Sequence, residues 1–353
     1  MKKILTPLIY SILIMALLAE AGLFWYLYKE DKERTNTIVE IATESNEGRR
    51  ATGKTKNFVT EETKEKGFCV LVKELPVYAQ NDISVNTESK ELAMLKRGET
   101  VELITEGNPY SLIRYGSSGE GYVWNDCIRA KSECDEFAVT RPVVVIDAGH
   151  QKNADQEEEP IGPGETETKA KTTAGTQGVS TKIPEHELNL EIALRLEALL
   201  KDDYTVVMVR RTADVEISNK ERAMLANNIK ADAFIRLHAD GSESSEARGA
   251  KTICNKSDSK YDDVRLRYSS NRKLASCILD AYVEETGLEK REIMESDAYS
   301  GINWCSVPVT IVEMGYMTNP DEDQMMKRPE FQKKMAKGIA KGIAAYFSSP
   351  NVE

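Results

Sequence analysis

The rhythm of hydrophobic and polar positions changes three times along the chain. Residues 4–28 form an apolar run broken by one charge, Glu20, and residues 29–66 are polar and charged with few clustered apolar side chains. Short β-rich runs follow at 69–72, 92–95, 101–104, 111–115 and 121–124, separated by turn residues. Runs of that length and spacing predict the strands of a small all-β barrel over 68–131. Beyond about residue 141 strand and helix patterns alternate, which predicts an α/β domain over 141–349. Its strands are expected at 143–147, 204–209, 233–237 and 309–312, and its helices at 185–201, 218–229, 271–286 and 329–347. Val143-Val144-Val145-Ile146-Asp147 is apolar almost without interruption, as a strand covered on both faces should be.

The first run is long enough to matter by itself. At about 1.5 Å per helical residue, residues 4–28 exceed the roughly 30 Å hydrocarbon core of a bilayer. With Lys2 and Lys3 held on the cytoplasmic side, the segment 1–28 predicts a signal anchor that places the rest of the chain outside the cell membrane. Residues 29–67 then serve as a flexible linker. The alternative is secretion after cleavage near Ala21, because Ala19-Glu20-Ala21 has the small-x-small form of a signal-peptidase site. The aromatic cluster Phe24-Trp25-Tyr26 and Tyr28 favours the anchor, since such side chains suit the membrane interface.

Composition narrows the partners. The 353 residues carry a formal charge of −11, a field that opposes binding to a phosphate backbone, so nucleic acid is not expected. Six cysteines, Cys69, Cys127, Cys134, Cys254, Cys277 and Cys305, have no close metal-ligand spacing. An external location permits disulfides, and Cys69 and Cys127 are expected on neighbouring terminal strands of the barrel, where they could pair, with buried free thiols as the alternative.

The chemistry is carried by two of only three histidines. His150 ends Asp147-Ala148-Gly149-His150, and His238 lies in Leu237-His238-Ala239-Asp240. Both stand at the carboxyl ends of expected buried strands, where open α/β sheets place their ligands. Glu313, after Thr310-Ile311-Val312, is an acid in the equivalent place, and a carboxylate there must be solvated, hydrogen-bonded or beside a cation. Helical phase selects a third ligand. Stepping about 100° per residue from Glu185, Leu188, Ile192, Leu196 and Leu199 share its face while Glu187, Glu191 and Arg195 lie opposite. Glu185 therefore faces inward, and His186, about 100° away, is expected on the surface outside the site. Two imidazoles and one carboxylate form a hydrolytic zinc set with a fourth position left for water or substrate. Glu313, not needed as a ligand, can take the water's proton and pass it to a leaving nitrogen.

Several motifs match in order. Ile146-Asp147-Ala148-Gly149-His150, Glu185-His186-Glu187-Leu188-Asn189-Leu190, Arg211-Thr212, Arg222 with Ala226-Asn227, Leu237-His238-Ala239, and Pro308 to Gly315 followed by Thr318-Asn319 resemble the zinc-dependent N-acetylmuramoyl-L-alanine amidases of the autolysin and sporulation type. That resemblance implies a mixed, mostly parallel sheet flanked by helices, with one Zn2+ on His150, Glu185 and His238 and Glu313 as the catalytic glutamate. It also implies the substrate: peptidoglycan, cut by zinc-activated water between N-acetylmuramic acid and the L-alanine of the stem peptide. Leu95 to Leu103, Tyr110 to Arg114 and Gly121-Tyr122-Val123-Trp124 resemble bacterial Src-homology-3-like wall-associated domains, in which Trp124 and Tyr122 would serve either a wall-binding groove or the core.

The chain departs from the family pattern in places. Gln151 stands for a glycine, Asp240 for an asparagine and Asn303 for an arginine, and the stretch between His150 and Glu185 is long, with a loop near the cleft expected at about 151–180. Arg211 and Arg222 are expected to be structural. A monomer is expected. Two rival readings stay open on sequence alone: a zinc peptidase cutting another bond of the wall, and a catalytically silent wall-binding scaffold.

Overall fold

The computed structural model describes residues 67–82, 91–134 and 140–349, which belong to one compact unit. The expected signal anchor and linker lie outside the described residues, except that Gly67 opens the first strand. Among the described residues, no helix is long and apolar enough to cross a membrane.

The first half is all β. Its strands are β1 (Gly67–Val70), β2 (Glu74–Val77), β3 (Ala93–Lys96), β4 (Thr100–Thr105), β5 (Tyr110–Tyr115), β6 (Gly119–Trp124) and β7 (Ile128–Ala130). Five form an antiparallel sheet in the order β6-β5-β4-β1-β7, and β2 pairs with β3 as a separate hairpin. The expected pairing of Cys69 with Cys127 is corrected here: Cys69 bonds to Cys134. β1 lies against β7 with Cys69 opposite Arg129, and Cys127, before β7 begins, is fully buried as a free thiol in the core. The chain must run past β7 through one short helical turn before Cys134 returns to β1.

The second half is the α/β fold. β8 (Val143–Ala148) leads into a hairpin of β9 (Asp155–Pro160) and β10 (Thr168–Thr172), then helix α1 (Glu185–Leu200), β11 (Thr205–Met208), α2 (Asn219–Asn228), β12 (Ala233–Asp240), β13 (Ala250–Cys254), α3 (Tyr268–Thr286), β14 (Lys290–Glu295), β15 (Val309–Tyr316), α4 (Pro320–Met326) and α5 (Pro329–Ser348). Six strands make a mixed sheet in the order β11-β8-β12-β15-β13-β14. All its pairings are parallel except β13 with β15. The loop expected at about 151–180 is thus partly a strand pair, closed by Pro160 opposite Thr168.

Local signals set the helix ends. Ser218 and Glu221 form a reciprocal capping box at the start of α2. Gly287, at φ 77°, stops α3 in the left-handed conformation that glycine adopts without strain.

Alternate side chains of the central strands enter two different cores. Val144, Ile146, Ala148, Ile235 and Leu237 pack with α1, α3 and α5, while Val143, Val145, Val207, Phe234 and Val309 point the other way. This second core is continuous with that of the all-β half, for it also contains Val70, Leu75, Val77, Ile113, Val123 and Trp124. The apolar run at 143–146 is explained by this two-sided burial. Trp124 is 3% exposed, its ring edge meets Tyr110, and its indole N–H donates to the Met208 carbonyl at 3.1 Å. Its aromatic surface is therefore spent in the core, while Tyr122 is half-buried.

Candidate metal centre

Three side chains converge at the carboxyl end of the sheet. His150 follows β8, His238 lies near the end of β12, and Glu185 is the first residue of α1. His150 Nε2 and His238 Nδ1 each lie 3.2 Å from Glu185 Oε1 and 3.1 Å from each other. Together they form a group able to hold a metal ion. The backbone is shaped for this meeting. His150 has φ 60°, an uncommon conformation for a residue other than glycine and one that surrounding contacts must hold. A Cβ on Gly149 would overlap the His238 ring.

The donor set passes a chemical test for a cation. His150 Nδ1 lies 2.8 Å from the Thr173 carbonyl; donating there leaves the Nε2 lone pair facing the cluster, the second contact that oriented metal-binding histidines make. Burial and the neighbouring His150 hold His238 down to about 4 although Glu185 opposes them, so its imidazole is neutral near pH 7. Glu185 is different. Burial disfavours its charge, but the His150 and His238 rings against it outweigh that and hold it well below the usual carboxylate range. Glu185 Oε1 also accepts from Asn189 Nδ2 and Ala239 N, and Oε2 accepts from Thr176 N at 2.9 Å. Two imidazole nitrogens and an ionised carboxylate facing one point suit a divalent cation.

Glu313 stands beside this group without joining it. β12 and β15 run parallel with His238 opposite Glu313, and β13 places Lys251 on its other side. Glu313 Oε2 is buried without a hydrogen-bond partner. Burial first, then the charges of Glu185 and Asp240, push its carboxyl well above the usual range, with Lys251 opposing. The Lys251 ammonium pairs with Asp240, the residue that departs from the family pattern.

Other expected positions resolve as structure. His186 is corrected: it is 8% exposed, buried beside the site rather than on the surface. The inward face of α1 is wider than one stripe and takes in Glu185, His186, Leu188, Asn189, Ile192, Ala193, Leu196 and Leu200, while Leu199 is 49% exposed. Arg222 is buried, bonds Asp147 Oδ1 and the Ala148 carbonyl, and reaches Gln151 Oε1 at 2.8 Å. Arg211 bonds Asp126 of the all-β half and Glu197 of α1. Asn303 donates to the Ile161 and Asp297 carbonyls and so ties the hairpin segment to the domain.

Sequence patterns missed Thr176, which serves the site through its backbone N–H, and Thr173, whose carbonyl and hydroxyl oxygens both lie against His150 Nδ1. They missed Gly175 as well, whose added Cβ would press on Glu185 and on the His150 ring. The end of the long segment after His150 is therefore a wall of the site.

A mixed α/β sheet with two histidines and a glutamate meeting at the carboxyl ends of its strands presents a candidate metal site. Residues 144–345 match the family model described as N-acetylmuramoyl-L-alanine amidase, and the chain belongs to that family. It is 27% identical over 177 residues to a probable cell wall amidase, LytH, of Staphylococcus aureus, a match over 49% of this chain and 55% of that protein. The chain thus spans about half the length of the curated relatives it matches. Among solved structures it is similar to the N-acetylmuramyl-L-alanine amidase Ami1 of Mycobacterium smegmatis, with 27% identity, a TM-score of 0.53, and coverage of 59% of this chain and 98% of that one. It also resembles Ami1 of Mycobacterium abscessus, with 25% identity, a TM-score of 0.52, and coverage of 59% and 99%.

Proposed function

We propose that this chain hydrolyses peptidoglycan at the amide between N-acetylmuramic acid and the L-alanine of the stem peptide, with Zn2+ held by His150, Glu185 and His238. The convergence of those three side chains carries the reading. When bound, zinc supplies Lewis-acid polarisation of the amide carbonyl and lowers the pKa of water toward neutrality.

The chain's own residues do the rest. Thr173 orients His150 through Nδ1, and Asn189, Ala239 and Thr176 fix both oxygens of Glu185. Glu313 takes a proton from the attacking water and returns it to the leaving nitrogen, a role that suits a carboxylate with a free oxygen beside His238. Burial disfavours the ionised form of Glu313; a divalent cation in the neighbouring site favours it.

The all-β half, over 68–131, is read as an Src-homology-3-like module joined to the catalytic domain over 141–349. The segment 1–28 is read as a signal anchor that holds the enzyme, as a monomer, outside the cell membrane. Mass spectrometry of purified wall digested by the zinc-loaded full chain tests the activity. The expected product is stem peptide with a free L-alanine amine; cleavage at another peptide bond, or no zinc-dependent cleavage, rejects the proposal.

A further inference from the structure

We propose that Arg210 is a positioning residue for the metal centre, whose guanidinium clamps together the backbone segments that carry His150 and Glu185. The inference rests on the metal-site reading above. Arg210 is 2% exposed. Its Nε donates to the Ala148 carbonyl at 2.7 Å, its Nη2 to Gly149 at 3.0 Å and to His186 at 2.8 Å, and its Nη1 to Thr212 at 3.1 Å. Ala148 and Gly149 lead directly into His150, and His186 adjoins Glu185. One planar group therefore spans the two segments whose side chains must meet.

All four acceptors are neutral carbonyls. A buried cation on such acceptors is costly, and a cost of this kind is tolerated where the geometry it enforces is used. The geometry here is the φ 60° turn at His150, which surrounding contacts must hold. Asn189 adds a second link between the same segments by donating to both the Gly149 carbonyl and Glu185 Oε1. A lysine could not replace Arg210, because a single ammonium lacks the fork that serves carbonyls on two segments.

The experiment measures zinc affinity by chelator competition, and the visible spectrum after cobalt(II) loading, on the full chain and its Arg210→Lys and Arg210→Met variants. Each is held at a temperature where circular dichroism shows the metal-free protein fully folded. Zinc affinity is expected to fall tenfold to a hundredfold, roughly the cost of losing an outer-shell partner, with a changed cobalt spectrum. A folded variant that binds zinc within twofold of wild type overturns the clamp. If Arg210→Met does not fold, Arg210→Lys decides; if neither folds at any temperature, Arg210 belongs to the fold and the proposal also falls. Wild type that takes up no zinc rejects the metal-site reading itself, a failure distinct from that of the clamp.

Discussion

His238 and Glu313 are partners in the same register of two parallel neighbouring strands, so one candidate metal ligand and the proposed proton carrier share a rigid sheet. The separation of their roles can be tested. Glu313→Gln keeps the size of the side chain and removes its basicity. Turnover on purified wall is expected to fall by about 10²–10⁴-fold, the usual contribution of general acid–base catalysis, while zinc affinity stays at the wild-type value. Wild-type turnover in the variant would remove Glu313 from the chemistry.

Metal removal should act on stability as well as on activity. A ligand at about 100 times its dissociation constant stabilises the folded state by about 2.7 kcal/mol. Zinc added to metal-stripped full chain is therefore expected to raise its melting temperature and restore cleavage. His150→Ala, Glu185→Gln and His238→Ala should each lose the rise. Gly149→Ala should lose it too, because the added carbon meets the His238 ring. Calorimetry with and without zinc decides, and an equal rise in the ligand variants would refute the assigned set.

Asp147 makes stability depend on pH. It is fully buried between Arg222 and Arg236, bonded at 2.7 and 2.9 Å. Burial opposes its charge, but the two guanidinium groups outweigh burial and hold the carboxyl well below its ordinary value. With the folded pKa below the unfolded one, the contribution is complete above about pH 4 and is lost as pH falls further. Asp147→Asn should abolish that acid-side dependence and destabilise by about 3–5 kcal/mol, since it leaves two buried cations without a counter-ion. Urea melts from pH 3 to 7 compare the two proteins, and parallel curves would exclude this role for Asp147.

What the sequence reveals follows from which atoms do the work. β8, β12 and β15 are legible because two-sided burial demands long apolar runs, and His150, His238 and Glu313 mark their ends. Helical phase places Glu185 inward because α1 has a buried face, yet it misplaces His186 and Leu199 because that face takes in His186, Asn189, Ala193 and Leu200 and leaves Leu199 outside. β14 escapes notice as a charged edge strand, Lys-Arg-Glu-Ile-Met-Glu. Arg210 and Thr176 act on or through main-chain atoms, for which sequence carries no distinguishing mark. Cys127 looks like a disulfide partner from its position but is claimed by the core.

The all-β half shapes the last prediction. A detachable wall-binding module would have its own core and a thin contact with the enzyme. Here Trp124 is buried and bonded to Met208, Asp126 accepts from Met208 N and from Arg211, and Asn228 donates to the Tyr78 hydroxyl. Val123 and Trp124 share one apolar cluster with Val145, Val207 and Phe234. Without residues 67–134 part of that shared cluster would meet water, so a chain beginning at Thr140 is expected to aggregate or to bind a hydrophobic dye. Trp124→Ala in the full chain should lower stability by about 3–5 kcal/mol, as emptying a large buried aromatic site does. The loss should appear as one cooperative transition that includes the metal centre. Two separate transitions, with the zinc-dependent one unmoved by Trp124→Ala, would show instead that the halves fold independently.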